Sequence, residues 1–179
     1  ISLRYPFIEL LSGIIAVLCY LCSYTILDFL YVFTISMILL IISLIDIDRM
    51  LIYDESLLVL LFMTIISLMI YNISLLERVI GIFIISLPMY LFNYFIESFG
   101  GGDIKLISIC GFMLGYKSLL ISMYITFIIA GIYAFFLYIF KNKNRNEYIP
   151  FAPFINIGIF LTLLYYKEII SLFFISFSF

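Results

Sequence analysis

Long apolar runs separated by short polar turns constrain the fold of this chain more than any motif. Almost the whole sequence consists of stretches about 20 residues long that could each cross a bilayer. The 179 residues are 66% hydrophobic and 11% charged, whereas a soluble domain is about half apolar and a quarter charged. We therefore predict an all-α fold, a polytopic membrane helix bundle with about six to seven transmembrane helices. It would form one membrane-embedded domain over residues 1–179.

The turns divide the chain into seven predicted helices. Asp28 marks the first turn, and the polar stretches 72–78 and 141–147 mark later ones. The tail 169–179 is apolar but too short to span a membrane. The predicted helices are Phe7–Leu27, Phe29–Ile45, Ser56–Tyr71, Val79–Phe99, Asp103–Gly115, Ser118–Phe140, and a last helix that follows Pro150 and Pro153 and ends near Tyr166.

The distribution of basic residues predicts the orientation of these spans. Cytoplasmic turns of membrane proteins are enriched in Lys and Arg. With the N-terminus in the cytoplasm, the inner turns carry Arg4, Arg49, Lys105, Lys141, Lys143 and Arg145, and the outer turns carry Arg78, Lys117 and Lys167. This bias favours a cytoplasmic N-terminus, and it places both acidic clusters of the chain at the cytoplasmic face.

Composition excludes several kinds of chemistry. The chain has no His, which removes the commonest general base and metal ligand. Cys19, Cys22 and Cys110 lie in apolar helices, so we interpret them as packing residues and predict neither a disulfide framework nor a metal site. The net charge is −2 and no long basic run occurs, so nucleic-acid binding is not expected. We predict no cofactor.

One acidic site lies in the segment Gly100–Lys105. Its glycines, Gly100, Gly101 and Gly102, would let the chain turn sharply or let another backbone approach. Asp103 follows them at the start of an apolar helix, and an ionisable residue in a membrane segment is a candidate functional group. The structural alternative is that Asp103 is simply a helix N-cap.

The second acidic site is the cluster Asp46-Ile-Asp48-Arg49. On a helix, Asp46 and Asp48 would point about 200° apart, so one of them at most faces the bundle interior. The structural alternative is a solvated turn in which Arg49 pairs with Asp46 or Asp48. In that reading the acids Asp54 and Glu55 cap the next helix.

A pair of facing carboxylates is the chemistry that this chain could most readily perform. Repulsion lets one carboxyl act as acid and the other as base, and such a pair can activate water against a peptide carbonyl. A proton-coupled transporter would need the same residues, and spacing alone does not separate the two. A third alternative is a membrane scaffold without catalytic activity, in which the acids only cap helices. This interpretation leaves the three glycines before Asp103 unexplained.

Two motifs resemble those of the type IV prepilin peptidases, bacterial enzymes that process pilins and pseudopilins. Ser43–Asp54 resembles their first aspartate motif, and Gly100–Lys105 resembles their Gly-x-Gly-Asp motif. Two further stretches match in the expected order: Ile1–Gly13, with Arg4-Tyr5-Pro6 and Glu9, and Ile149–Phe154, with Gly158. Departures are Tyr53, where the family usually has Pro, and Ala152, where it has Gly.

The resemblance implies a membrane aspartic peptidase with Asp46 and Asp103 as the catalytic pair. Such an enzyme cuts the leader of a prepilin after a Gly, on the cytoplasmic side of the bacterial cell membrane, in systems for type IV pili, competence or protein secretion. Gly100, Gly101, Gly102 and Lys105 are the predicted loop-shaping or substrate-binding residues. Many members carry an upstream zinc-binding loop for N-methylation. We expect any such segment to precede Ile1, and we predict neither zinc nor methyl transfer for these residues.

A presenilin-type intramembrane protease is the remaining alternative. Those enzymes also use Gly-x-Gly-Asp, together with a Tyr-Asp pair in the preceding helix. Tyr53-Asp54 matches that dipeptide. It lies in a predicted polar turn beside Glu55, however, and no Pro-Ala-Leu stretch follows near the end of the chain.

Overall fold

A computed structural model of the chain describes residues 4–95, 99–141, 149–166 and 168. Predictions about Lys143, Arg145, Lys167 and the tail 169–179 lie outside these ranges, as do residues 1–3 of the first matched stretch. The described residues form six helices and no β-strand, which confirms the predicted all-α fold. The helices are α1 (Arg4–Cys22), α2 (Ile26–Arg49), α3 (Asp54–Ile70), α4 (Leu75–Phe95), α5 (Gly101–Lys141) and α6 (Ala152–Leu164).

The surface and interior of the bundle have the polarity of a membrane protein. Four helices, α1, α2, α4 and α5, are long and apolar enough to cross a membrane. Large apolar side chains such as Tyr20, Met69 and Phe95 are exposed on the outside. Small polar residues such as Ser36, Thr64 and Thr126 are buried between helices, where they allow close packing. Cys19 and Cys22 lie in α1 and Cys110 in α5, as the sequence predicted.

Among the predicted helix boundaries that the structure corrects, two are explained by a hydroxyl cap. α2 begins at Ile26 because Thr25 caps it and accepts a hydrogen bond from the Asp28 N–H (3.1 Å). Asp28 therefore lies in the first turn of α2, not between helices. α4 begins at Leu75 because the Ser74 hydroxyl accepts a hydrogen bond from the Glu77 N–H (3.2 Å). The stretch 72–78, predicted as a polar turn, thus contains the start of α4.

Gly115 divides α5 into two segments, residues 101–114 and 116–141. Its φ of 74° and ψ of 164° are non-helical, a conformation that favours glycine. The second segment runs back toward the start of the first. Phe127 in the second segment packs against Phe151 (6.3 Å between ring centroids), and Phe151 packs against Phe99, which lies just before the first segment (5.9 Å). The predicted end of a helix at Gly115 is thus confirmed.

Arg78 joins three helices at the end of the bundle that contains Gly115. It was expected in an exposed outer turn, but it lies in the first turn of α4 and is fully buried. Its guanidinium donates to the last carbonyls of α3 and of segment 101–114. A cation at helix C-termini is favourable because the carbonyls there lack intrahelical donors. The acceptors are Ser67 O (3.1 Å), Tyr71 O (3.1 Å), Phe112 O (3.1 Å), Met113 O (3.2 Å) and the Ser67 hydroxyl (2.7 Å).

Replacing Arg78 by Met should therefore destabilise the bundle. Each buried acceptor left without a donor costs about 1–3 kcal/mol, so we expect a loss of about 3 kcal/mol or more. Chemical unfolding in detergent micelles measures it. Arg49→Met is the matched control, because Arg49 is exposed and donates to Tyr53 (2.6 Å). A loss for Arg78→Met no greater than that of the control would contradict the capping role.

Candidate active site

Asp46 and Asp103 lie at the same end of the bundle, on helices α2 and α5. Asp46 is in the last turn of α2 and Asp103 in the first turn of α5. Both are buried, with exposed fractions of 5% and 9%. The Ala152 N–H contacts Asp46, and the neighbouring Phe151 packs against Phe99, which lies four residues before Asp103 (5.9 Å between ring centroids). Two predicted site residues that are 57 positions apart in the sequence are therefore placed at one end of the bundle.

Among the glycines before Asp103, Gly102 allows another part of the chain to pack closely against the start of α5. Gly101 and Gly102 are helical residues, so the expected sharp glycine loop is replaced by the start of α5. A Cβ on Gly102 would lie 2.9 Å from the Ile52 Cβ, closer than such atoms pack. The connection between α2 and α3 thus rests directly on the first turn of α5. A Cβ on Gly101 would meet no atom within 4 Å, so this position borders open space.

Asp103 is not the N-cap of α5. Gly100 precedes the helix and its carbonyl accepts from the Asp103 N–H (3.1 Å) and the Ile104 N–H (3.4 Å). The Asp103 carboxyl has one buried oxygen, Oδ1, for which the described residues provide no hydrogen-bond partner. Buried polar atoms are nearly always paired in proteins. Asp103 is the third residue of α5, and its carboxyl hydrogen-bonds to the Gly100 backbone as in a capping box, but this contact leaves the buried Oδ1 without a partner among the described residues.

Asp46 is held by the start of α6. The backbone N–H of Ala152 donates to Asp46 Oδ2 (3.1 Å), although the two residues are 106 positions apart. α2 ends immediately after the acidic cluster, where Met50 adopts a left-handed conformation (φ 52°) and donates its N–H to Asp46 O (2.8 Å). The carboxylate thus sits at the negative end of its own helix and at the positive end of α6, which offsets the unfavourable dipole.

The other charged residues of the two motifs lie around this pair in exposed contacts. Asp48 is exposed and forms an ion pair with Arg4 (2.5 Å), so that only Asp46 of the two is buried, as the helical spacing allowed. Arg49 donates to the Tyr53 hydroxyl (2.6 Å), and the described residues show no pairing of Arg49 with either aspartate, unlike the structural alternative. Lys105 forms an ion pair with Asp54 (2.7 Å), and it joins the start of α5 to the start of α3.

The position of Asp54 bears on the presenilin-type alternative. Asp54 is the first residue of α3, its side chain is 70% exposed, and it is paired with Lys105. An aspartate that serves as one half of a buried dyad should instead face Asp103. Asp46, by contrast, is buried at the same end of the bundle as Asp103.

At the two positions where the chain departs from the family motifs, the backbone conformation and contacts are ones that the usual family residue could also have. Tyr53 precedes α3 with φ −75°, which is within the range that a proline ring would impose. Ala152 contacts Asp46 through its backbone N–H, a group that Gly also has. The φ of Tyr53 and the N–H of Ala152 are thus compatible with the residues that the family usually has.

The chain is similar to known proteins over most of its length. A model of the type IV leader peptidase family matches residues 31–135, which include both aspartates. The chain belongs to this family. It is 27% identical over 172 residues to the prepilin leader peptidase/N-methyltransferase of Aeromonas salmonicida (strain A449), covering 92% of this chain and 59% of that protein. It is 38% identical over 72 residues to the protein of the same name from Bacillus subtilis (strain 168), covering 40% of this chain and 29% of that protein.

The chain spans about three fifths of the length of the Aeromonas relative. No solved structure matches it.

Sequence reasoning missed the contribution of α6 to the candidate site. Ala152 was noted only as a departure, and its N–H contact with Asp46 has no sequence signal because any residue but proline has that group. Asn156 was not singled out, although an amide in a strongly apolar helix is a signal in membrane proteins. Its side chain is buried and contacts α2 one turn from Asp46.

The close contact at Gly102 gives a direct prediction. Gly102→Ala should cost about 1–3 kcal/mol, because the added methyl overpacks against Ile52. Gly101→Ala is the matched control, since it has the same change in backbone entropy in the same helical turn and meets open space. Unfolding of the two variants in micelles measures the difference. Equal stabilities would show that the first turn of α5 is not packed on Ile52.

Proposed function

We propose that this leader peptidase family member is a membrane aspartic endopeptidase that cleaves the leader of type IV prepilins or pseudopilins after a Gly. Asp46 and Asp103 would be its catalytic residues. The observation that supports this proposal most is that two buried aspartates, one from each motif, lie at the same end of the helix bundle.

The proposed chemistry follows from the closeness of the two carboxyl groups. Two carboxyls in one site rarely ionise together, so one carries a proton while the other does not. The ionised group takes a proton from a water molecule, and the water oxygen bonds to the scissile carbonyl carbon. The protonated group stabilises the developing oxyanion, and a proton passes to the amine nitrogen as the C–N bond breaks. Neither a histidine nor a nucleophilic serine or cysteine is required.

The surroundings of Asp103 suit an extended peptide. Gly101 borders open space next to the aspartate, so a substrate backbone could approach there without meeting a side chain. Gly100 and Gly102 would shape this approach, and the exposed Lys105–Asp54 pair lies at its edge. We assign these residues to substrate positioning and not to the chemical step.

We propose that the site faces the cytoplasm at the bacterial cell membrane. The support is the bias of Lys and Arg toward the turns on the side of Asp46 and Asp103. In the structure, Arg4, Arg49 and Lys105 all lie at this end of the bundle, near the two aspartates. Substrates would therefore be prepilins whose leaders remain on the cytoplasmic side.

The test is cleavage of a prepilin-like peptide with a Gly-Phe junction by membranes that contain the chain. Asp46→Asn and Asp103→Asn should each lower the rate at least about a hundredfold, the usual contribution of a general acid or base. Asp48→Asn is the matched control, because Asp48 lies two residues from Asp46 but points outward to Arg4. It should retain most of the activity.

Cleavage that survives both single substitutions would exclude the dyad. If the unmodified chain does not cut the peptide but carries protons across vesicle membranes, and both substitutions stop that flux, the aspartates serve transport instead.

A further inference from the structure

Asp46 needs support from outside its own helix. It is buried in the last turn of α2, where the helix dipole disfavours a negative charge. The described contacts of its carboxylate are the N–H of Ala152 and the neighbouring charge of Asp103. The position of α6 therefore determines whether Asp46 keeps its hydrogen bond.

Asn156 fixes α6 against α2 one turn from this contact. Its amide nitrogen donates to Leu39 O (2.9 Å) and to the Ser43 hydroxyl oxygen (2.8 Å). The orientation of the amide is determined chemically, because Leu39 O can only accept. The Ser43 hydroxyl donates its own hydrogen to Leu39 O (2.8 Å), which leaves its oxygen free to accept from Asn156.

The two contacts form a ladder between antiparallel helices. Ser43 precedes Asp46 by one turn on α2, and Asn156 follows Ala152 by one turn on α6. The remaining surface that α6 buries near α2 is largely apolar, including Ile155 and Ile159. In lipid, apolar packing alone gives little preference for one axial position of a helix over another. A buried amide forms directional hydrogen bonds, which favour a single axial position.

We propose that Asn156 is a positioning residue for Asp46: it holds α6 in the axial position at which the Ala152 N–H bonds the Asp46 carboxylate. The inference rests on the peptidase role proposed above for Asp46. Asn156 does not contact the reacting atoms, and it acts through Ala152.

The test compares Asn156→Leu with Thr162→Val. Thr162 is buried on the same helix, but its hydroxyl donates to Gly158 O within α6, so its loss leaves the contact with α2 intact. Asn156→Leu should lower kcat for peptide cleavage on the order of tenfold with little change in KM, since a slightly misplaced catalytic group slows chemistry more than binding. Its pH–rate profile should also change, because Asp46 has lost a hydrogen-bond donor. Thr162→Val should change neither.

A second readout does not depend on activity. The chain has four alanines, at positions 16, 130, 134 and 152, so 15N-alanine labelling gives a simple amide spectrum in micelles. Asp46→Asn assigns the Ala152 resonance by shifting it. Asn156→Leu should shift the same resonance, and Thr162→Val should not. Ser43→Ala, which removes one of the two acceptors, should shift it in the same direction by a smaller amount and serves if Asn156→Leu does not fold.

The outcomes separate the two proposals. An inactive unmodified chain whose Ala152 resonance still responds to Asn156→Leu would exclude the peptidase role and leave the positioning role standing. A folded Asn156→Leu variant with an unchanged Ala152 resonance, kcat and pH profile would overturn the positioning role.

Discussion

The candidate site depends on one contact, in which the connection from α2 to α3 packs against the first turn of α5. Gly102 lacks a side chain, so Ile52 rests on the helix backbone, and the last turn of α2 is brought opposite Asp103. The Lys105–Asp54 ion pair joins the same two regions but is exposed, and exposed pairs contribute little energy. Close packing, and not charge pairing, is therefore what brings the two family motifs together.

The opposite end of the bundle supports the same helix segment. Residues 101–114 carry Asp103 at one end and end at Gly115 at the other, where Arg78 binds the carbonyls of Phe112 and Met113. The segment is thus held at both ends, by glycine packing on the site side and by a buried guanidinium on the other. Lipid offers no hydrogen bonds to replace these contacts, so the bundle must satisfy its own polar groups.

The sequence predicted the features that depend on local pattern. These are the helical class, the helix end at Gly115, the opposite directions of Asp46 and Asp48, and the shared end of Asp46 and Asp103. It did not predict features that depend on contacts between distant residues, such as the burial of Arg78 and the Ala152 N–H on Asp46. Periodicity was also a weak guide, because a lipid-facing helix is apolar on both faces, and the α1–α2 boundary at Thr25 was missed for that reason. The cytoplasmic orientation stays a prediction.

If Asp46 and Asp103 act as one catalytic unit, their effects on the rate of peptide cleavage cannot be independent. The decisive measurement is the single-turnover cleavage rate of the Asp46→Asn/Asp103→Asn double variant beside that of each single variant. A shared-proton pair predicts that the double variant is no slower than the slower single variant, because removing either carboxyl already disables the unit. Rate losses that multiply in the double variant would show that the two aspartates contribute separately and would contradict the dyad.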